Sequence, residues 1–227
     1  MCKKLWVSLT ALLLFAPASI VFADGCTECH AEKGVQESIP SIAPIKINED
    51  GVTRSITLSD AFRFHGHSCP GVTIAFRSLQ YGIFLLFGDE IPEKKDLVIF
   101  SKTPTLGSLD MLDFVMIGEK RAKRTTAPEG MKASRENFIY TLYRKSTSTA
   151  VDIQLIPAQF PKDFFELKKK QSAQKLTSEE WDTLHDYMKT IILTFPQKSF
   201  ETLFANPKPY KTIAWGNLLP SPDNTSE

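Results

Sequence analysis

Large apolar residues fall in blocks along this chain, and the spacing inside each block differs. The run from Leu5 to Phe15 is nearly continuous and is followed by Pro17. From Asp24 to about Thr53 large apolar residues are few, and Pro40 and Pro44 interrupt the chain, which is the pattern of a tethered segment. Ser59 to Phe64 has room for one short helical turn. Pro70 then opens an apolar stretch that lasts to Phe87. Proline suits the first position of a helix, so a buried helix is predicted over 70–87 with Cys69 at its N-cap.

Further along, Leu97 to Phe100 is a four-residue apolar run suited to an interior strand, and Ser108 is placed to cap a short helix through Ile117. Val151, Ile153 and Leu155 alternate with Asp152 and Gln154. The segments Asn137–Arg144 and Ala150–Ile156 therefore predict a hairpin turning over 145–149. Pro161 starts another helix. Thr177 with Glu180 has the spacing of a capping box, ahead of an apolar helical face of Trp181, Leu184, Met188 and Ile191. After Pro196 four more prolines predict a tail that wraps the surface or frays. No internal repeat interrupts this order.

Charge changes the reading of the first block. Lys3 and Lys4 precede the apolar run, and Val21 and Ala23 supply small residues three and one before a cut, so a signal peptide cleaved after Ala23 is expected. The run is shorter than the roughly 20 residues of a spanning helix, so no membrane span is expected after cleavage. Phe22, Ala23, Asp24 and Gly25 before Cys26 do not fit a lipoprotein signal. The chain is then periplasmic or otherwise exported. Its 27 basic and 26 acidic residues nearly balance, which argues against nucleic acid as a partner.

Four cysteines remain to be placed. Cys2 leaves with the signal peptide, and the remaining three, Cys26, Cys29 and Cys69, are too few and odd in number for a disulfide scaffold. Cys26-Thr27-Glu28-Cys29-His30 is a C-x-x-C-H motif. Two thiols one helical turn apart can add to the vinyl groups of a porphyrin, and the adjacent histidine can bind its iron, so Cys26, Cys29 and His30 are candidate ligands of a haem c. Attachment takes place outside the cytoplasm, a condition that export meets. A tight disulfide, half of a zinc site, or a chance pair in a flexible segment are the other readings. Zinc wants four ligands and no second C-x-x-C completes such a set. His185, Met111 and Met116 would serve a haem as distal ligands only without positive evidence, and read first as core residues.

The second cluster is Phe64-His65-Gly66-His67-Ser68-Cys69-Pro70-Gly71. His65, His67 and Cys69 place two imidazoles and a thiol in one short loop, a set suited to zinc and also to nickel, copper or iron. At the start of a helix the Cys69 thiolate gains from the helix dipole and the first amides. A buried thiol beside two hydrogen-bonded histidines is the bland alternative, but half of the four histidines fall here.

This octapeptide, with Arg77 beyond it, resembles the signature of the FmdE/FwdE-like family, named for a component of formylmethanofuran dehydrogenase, with Phe76 standing where that family has tyrosine. The resemblance runs from about Ser59 to Phe195 and takes in the hairpin and the stretch Phe160–Leu167. It implies an α+β fold: a small mixed β-sheet packed with helices (FwdE/GAPDH-domain-like), here with an extended N-terminal segment and a helical C-terminal part, and often a homodimer. It also implies a metal site on the His/Cys loop, with Asp110 as a fourth or outer ligand. The family's further cysteine, its T-G-C-T and its glycine-lysine pair are absent. The component that gives the family its name is not the molybdenum- or tungsten-bearing catalytic one, and that cytoplasmic reaction does not suit an exported chain.

The expected organisation is a signal peptide (1–23), a C-x-x-C-H-bearing segment and linker (24–53), an FmdE-like metal-binding domain (54–195) and a proline-rich tail (196–227). The expected function is a metal-binding protein holding a divalent transition metal, zinc foremost, with a haem c and a redox partner protein in periplasmic electron transfer, as a component of an oxidoreductase. The alternative is a haem-free metal-binding, sensing or trafficking protein. The basic loop from Glu119 to Arg124 reads as a solvated loop that could also steer an anionic partner.

Overall fold

Ile45 and Ile47 turn inward and Lys46 outward at the first regular element, strand β1 (Ile45–Glu49). It pairs antiparallel with β2 (Val52–Ile56) across a two-residue Asp50-Gly51 turn, whose positive φ angles of 50° and 82° match the twist of a tight hairpin. The computed structural model of the chain describes residues 39–118 and 129–216. The signal peptide, Cys26, Cys29, His30 and the basic loop from Glu119 to Arg124 lie outside the described residues.

Strand β1 falls inside the stretch that Pro40 and Pro44 marked as a tether. Two buried isoleucines were too short an alternation to stand out, and only pairing with β2 and packing on the core make them a strand.

Helix α1 (Leu58–His65) starts at Thr57, whose hydroxyl accepts from the Asp60 amide while the Asp60 carboxylate accepts from the Thr57 amide. Helix α2 (Pro70–Phe87) follows with the predicted bounds and Cys69 at its N-cap. Among the described residues α2 alone has the length and apolarity to cross a membrane, and 72% of it is buried in this fold. Its apolar surface is consumed by neighbours: α1, α3 (Leu106–Met116) and α5 (Ser178–Thr194) among the helices, and β4 and β5 in the sheet.

That sheet has four strands in the order β3 (Leu97–Ser101), β4 (Ile139–Arg144), β5 (Thr149–Gln154), β6 (Tyr210–Lys211). The α+β class inferred from the sequence holds. Every pairing within the two sheets is antiparallel rather than mixed. The reason lies in the connections: β4 and β5 are a tight hairpin, and the chain leaving β3 through α3 comes back in the opposite direction. The apolar run of β3 sits at the sheet's edge, not its interior, and Phe100 remains 45% exposed. Tyr140, Leu142, Val151 and Ile153 are fully buried on the face toward α2.

The C-terminal half closes over this core. Helix α4 (Phe164–Ser172) begins three residues after Pro161, and α5 starts at the predicted Thr177/Glu180 capping box. Leu184, Met188 and Ile191 of α5 are buried; Trp181 is 37% exposed. The proline-rich tail packs as far as α6 (Phe200–Leu203), where Leu203 and Phe204 join the core. Arg77 of α2 anchors it. Its guanidinium donates to the Lys198 carbonyl at 2.8 Å and lies 4.2 Å from the Phe200 ring centre. Burial lowers the Arg77 pKa from its ordinary value.

Candidate metal centre

Helix α1 delivers His65 as its last residue, and the chain must then reverse to bring anything else beside it. Gly66 does this with φ of 105°, a left-handed conformation that costs glycine little, while its amide donates to the Phe62 carbonyl at 2.8 Å. The reversal sets the His67 ring 4.4 Å from the His65 ring, centre to centre. Cys69, extended at φ −139° and ψ 134°, then leads into Pro70 and α2.

One donor atom from each of His65, His67 and Cys69 lies within 4.8 Å of the other two. Ligands around a tetrahedral zinc stand roughly 3.5 Å apart, given bond lengths of 2.0–2.3 Å, so small side-chain adjustments would close this set on an ion. Two nitrogens and a sulfur fit a borderline divalent metal, and three protein ligands leave a fourth position open.

The second layer comes from α3. Asp110 Oδ2 lies 2.7 Å from His65 Nδ1, and both side chains are buried. A carboxylate accepts, so the proton sits on Nδ1 and Nε2 becomes the nitrogen offered to an ion. Metal-bound histidines are commonly braced in this way. Asp110 is not among the three converging donors; its place is behind His65.

Gly107 lets α3 come this close. A Cβ there would stand 2.8 Å from Cys69 Sγ and 3.1 Å from the Val72 amide nitrogen. Ser108, expected as a helix cap, is instead inside α3, which begins after Thr105. The Thr105 hydroxyl donates to Ser108 Oγ at 2.7 Å, and Ser108 Oγ lies 2.7 Å from the Tyr140 hydroxyl. Burial pushes the Tyr140 phenol well above its ordinary value, and nearby Cys69 acts in the same direction. Tyr140 is therefore a neutral hydroxyl beside the thiol.

Sequence reasoning missed Gly107, Ser108 and Tyr140 as parts of this site. With Ser108 read as the cap, Gly107 falls outside the predicted helix, so no local pattern marks it as a point of contact. Cys69 and Gly71 also form part of the wall of a cavity of about 530 Å³. The remaining sequence candidates lie elsewhere. His185 stands on α5 with a buried Nε2 that has no hydrogen-bond partner among the described residues. Met111 is buried in the core and Met116 packs against it.

Comparison with known proteins agrees with the loop. A family model described as "FmdE, Molybdenum formylmethanofuran dehydrogenase operon" matches residues 64–205, more than half of the 227-residue chain. The match starts at Phe64, the first residue of the octapeptide, and runs past Phe195 into the tail. No curated protein matches the chain.

Proposed function

The chain belongs to the FmdE family, and from that premise we propose that it is an exported metal-binding protein carrying one c-type haem and acting in periplasmic electron transfer. His65, His67 and Cys69 would hold a divalent transition metal, zinc foremost, with Asp110 bracing His65. The bound ion supplies a fixed positive charge and a Lewis-acidic position at the end of α1. Cys26 and Cys29 would carry the haem thioethers and His30 its iron.

The observation that supports the metal most is the convergence of three soft or borderline donors on one loop, inside the part of the chain that matches the family. The haem and its redox role rest on the C-x-x-C-H motif behind a sequence that reads as a signal peptide. A redox partner protein would deliver or accept the electron.

Two measurements on one preparation test both parts. The full chain is produced in a host with a cytochrome c maturation system and assayed by elemental analysis and by the pyridine haemochrome spectrum. One metal and one covalent haem per chain are expected. Metal without a haem band would end the electron-transfer reading and leave the haem-free metal-binding, sensing or trafficking protein. Haem with no metal, and no metal uptake on titration, would end the metal reading.

A further inference from the structure

The cavity bordered by Cys69 has a chemical polarity of its own. Its inner wall is apolar and buried: Ile74, Phe138 and Met188 are each 3% exposed or less. Its outer wall carries Lys132 and Lys169, both exposed, and Lys168, whose ammonium donates to Gln171 Oε1 at 2.7 Å. Among the described residues that line it there is no aspartate or glutamate.

Between floor and rim stands a group of aromatic rings. Phe160 lies 4.9 Å from Phe138, 5.2 Å from Phe164 and 4.8 Å from Phe165, centre to centre, the last edge-to-face. Such rings offer both faces and edges to a flat apolar guest. A volume of about 530 Å³ falls within the usual range for small-molecule sites of roughly 300–1,000 Å³.

We propose that this cavity binds a small organic anion with a flat apolar body, the body lying against the wall formed by Phe160, Phe164 and Phe165 and the carboxylate at Lys132 and Lys169. Burial of the apolar body against these rings supplies affinity, and Lys132 and Lys169 select charge and orientation. Among the described residues that line the cavity the lysines alone are cationic, so the carboxylate stays at the rim and the ligand enters body first. None of the residues named for it belongs to the N-terminal segment, so the proposal stands whether or not a haem is attached. Cys69 is the one of the three metal donors that lines it.

Isothermal titration of the full chain with 3-phenylpropionate, and with its neutral counterpart 3-phenylpropan-1-ol, tests this in the metal-free and the metal-loaded protein. The carboxylate is expected to bind at one site about tenfold more tightly than the alcohol, the equivalent of one charge-assisted contact. The double substitution Lys132→Gln and Lys169→Gln should bring the carboxylate down to the level of the alcohol and leave the alcohol unchanged. Phe165→Ala should weaken both, and inorganic phosphate should displace neither. Equal binding of acid and alcohol, binding of neither, an unchanged carboxylate in the double variant, or displacement by phosphate would each overturn the proposal. Because the measurement is made without metal as well as with it, its failure is separable from failure of the metal reading.

Discussion

Asp110 Oδ2 and His65 Nδ1 meet at 2.7 Å although 45 residues separate them in the chain. The contact fixes which imidazole nitrogen faces the other two donors. Asp110→Ala should therefore weaken metal binding by about 10–100-fold while keeping one site per chain. Competition with a chromophoric chelator measures this, and an unchanged affinity would remove Asp110 from the site. Cys69→Ala should lose tight binding altogether, because it removes a donor and not a brace.

Gly107 is the point where α3 touches the thiol. Gly107→Ala puts a methyl group 2.8 Å from Sγ and 3.1 Å from a backbone nitrogen, so the helices must part. Overpacking of this kind costs about 1–3 kcal/mol. Urea unfolding of the metal-free protein should show that loss, and metal affinity should fall with it. A variant of wild-type stability and affinity would mean that the two helix ends yield freely.

Arg77 ties the tail to the central helix. Arg77→Met keeps much of the packing volume but removes the donation to the Lys198 carbonyl and the stacking on Phe200. A hydrogen bond from a charged group is worth about 1.5–3 kcal/mol, and a loss of that order is expected. Amide exchange should accelerate first in residues 198–205. Uniform acceleration across the domain would instead show that the tail and the core open together.

The start of α1 gives a pH dependence. Hydrogen bonds from Thr57, side chain first and then backbone, hold the Asp60 carboxyl below its ordinary value, with Arg63 adding to them. A depressed folded pKa means stability that is complete above the unfolded value and lost as pH falls through the lower folded one. That loss begins below about pH 4. Thr57→Ala should cost about 0.5–2 kcal/mol at neutral pH, as capping substitutions do. Its deficit should shrink as the pH falls through that window. A deficit independent of pH would assign the cost to the hydroxyl alone.

Much of the fold is legible in local pattern. Pro70 followed by an apolar stretch gave α2 its bounds, Thr177 and Glu180 marked the start of α5, and the alternation of Val151, Ile153 and Leu155 marked the hairpin. What escaped depends on partners far along the chain. Ser108 reads as a cap by its position, but its hydroxyl is engaged by Tyr140, 32 residues away. The apolar run at Leu97 does not reveal that, among the described residues, one strand alone would lie beside it. The same division holds in the site. His65, His67 and Cys69 could be read from a single loop, whereas Gly107 and Tyr140 are placed there by tertiary packing.

The compactness of that loop bears on how an ion would report on folding. The three donors span residues 65–69, so the denatured chain keeps them within reach of one another, while Asp110 and the α3 end join only in the native state. Binding to the denatured chain offsets part of what binding to the native chain contributes. The rise in melting temperature on adding metal should therefore understate the native affinity: the shortfall measures what the bare loop binds, and the rise itself what the native setting, α3 included, adds to it.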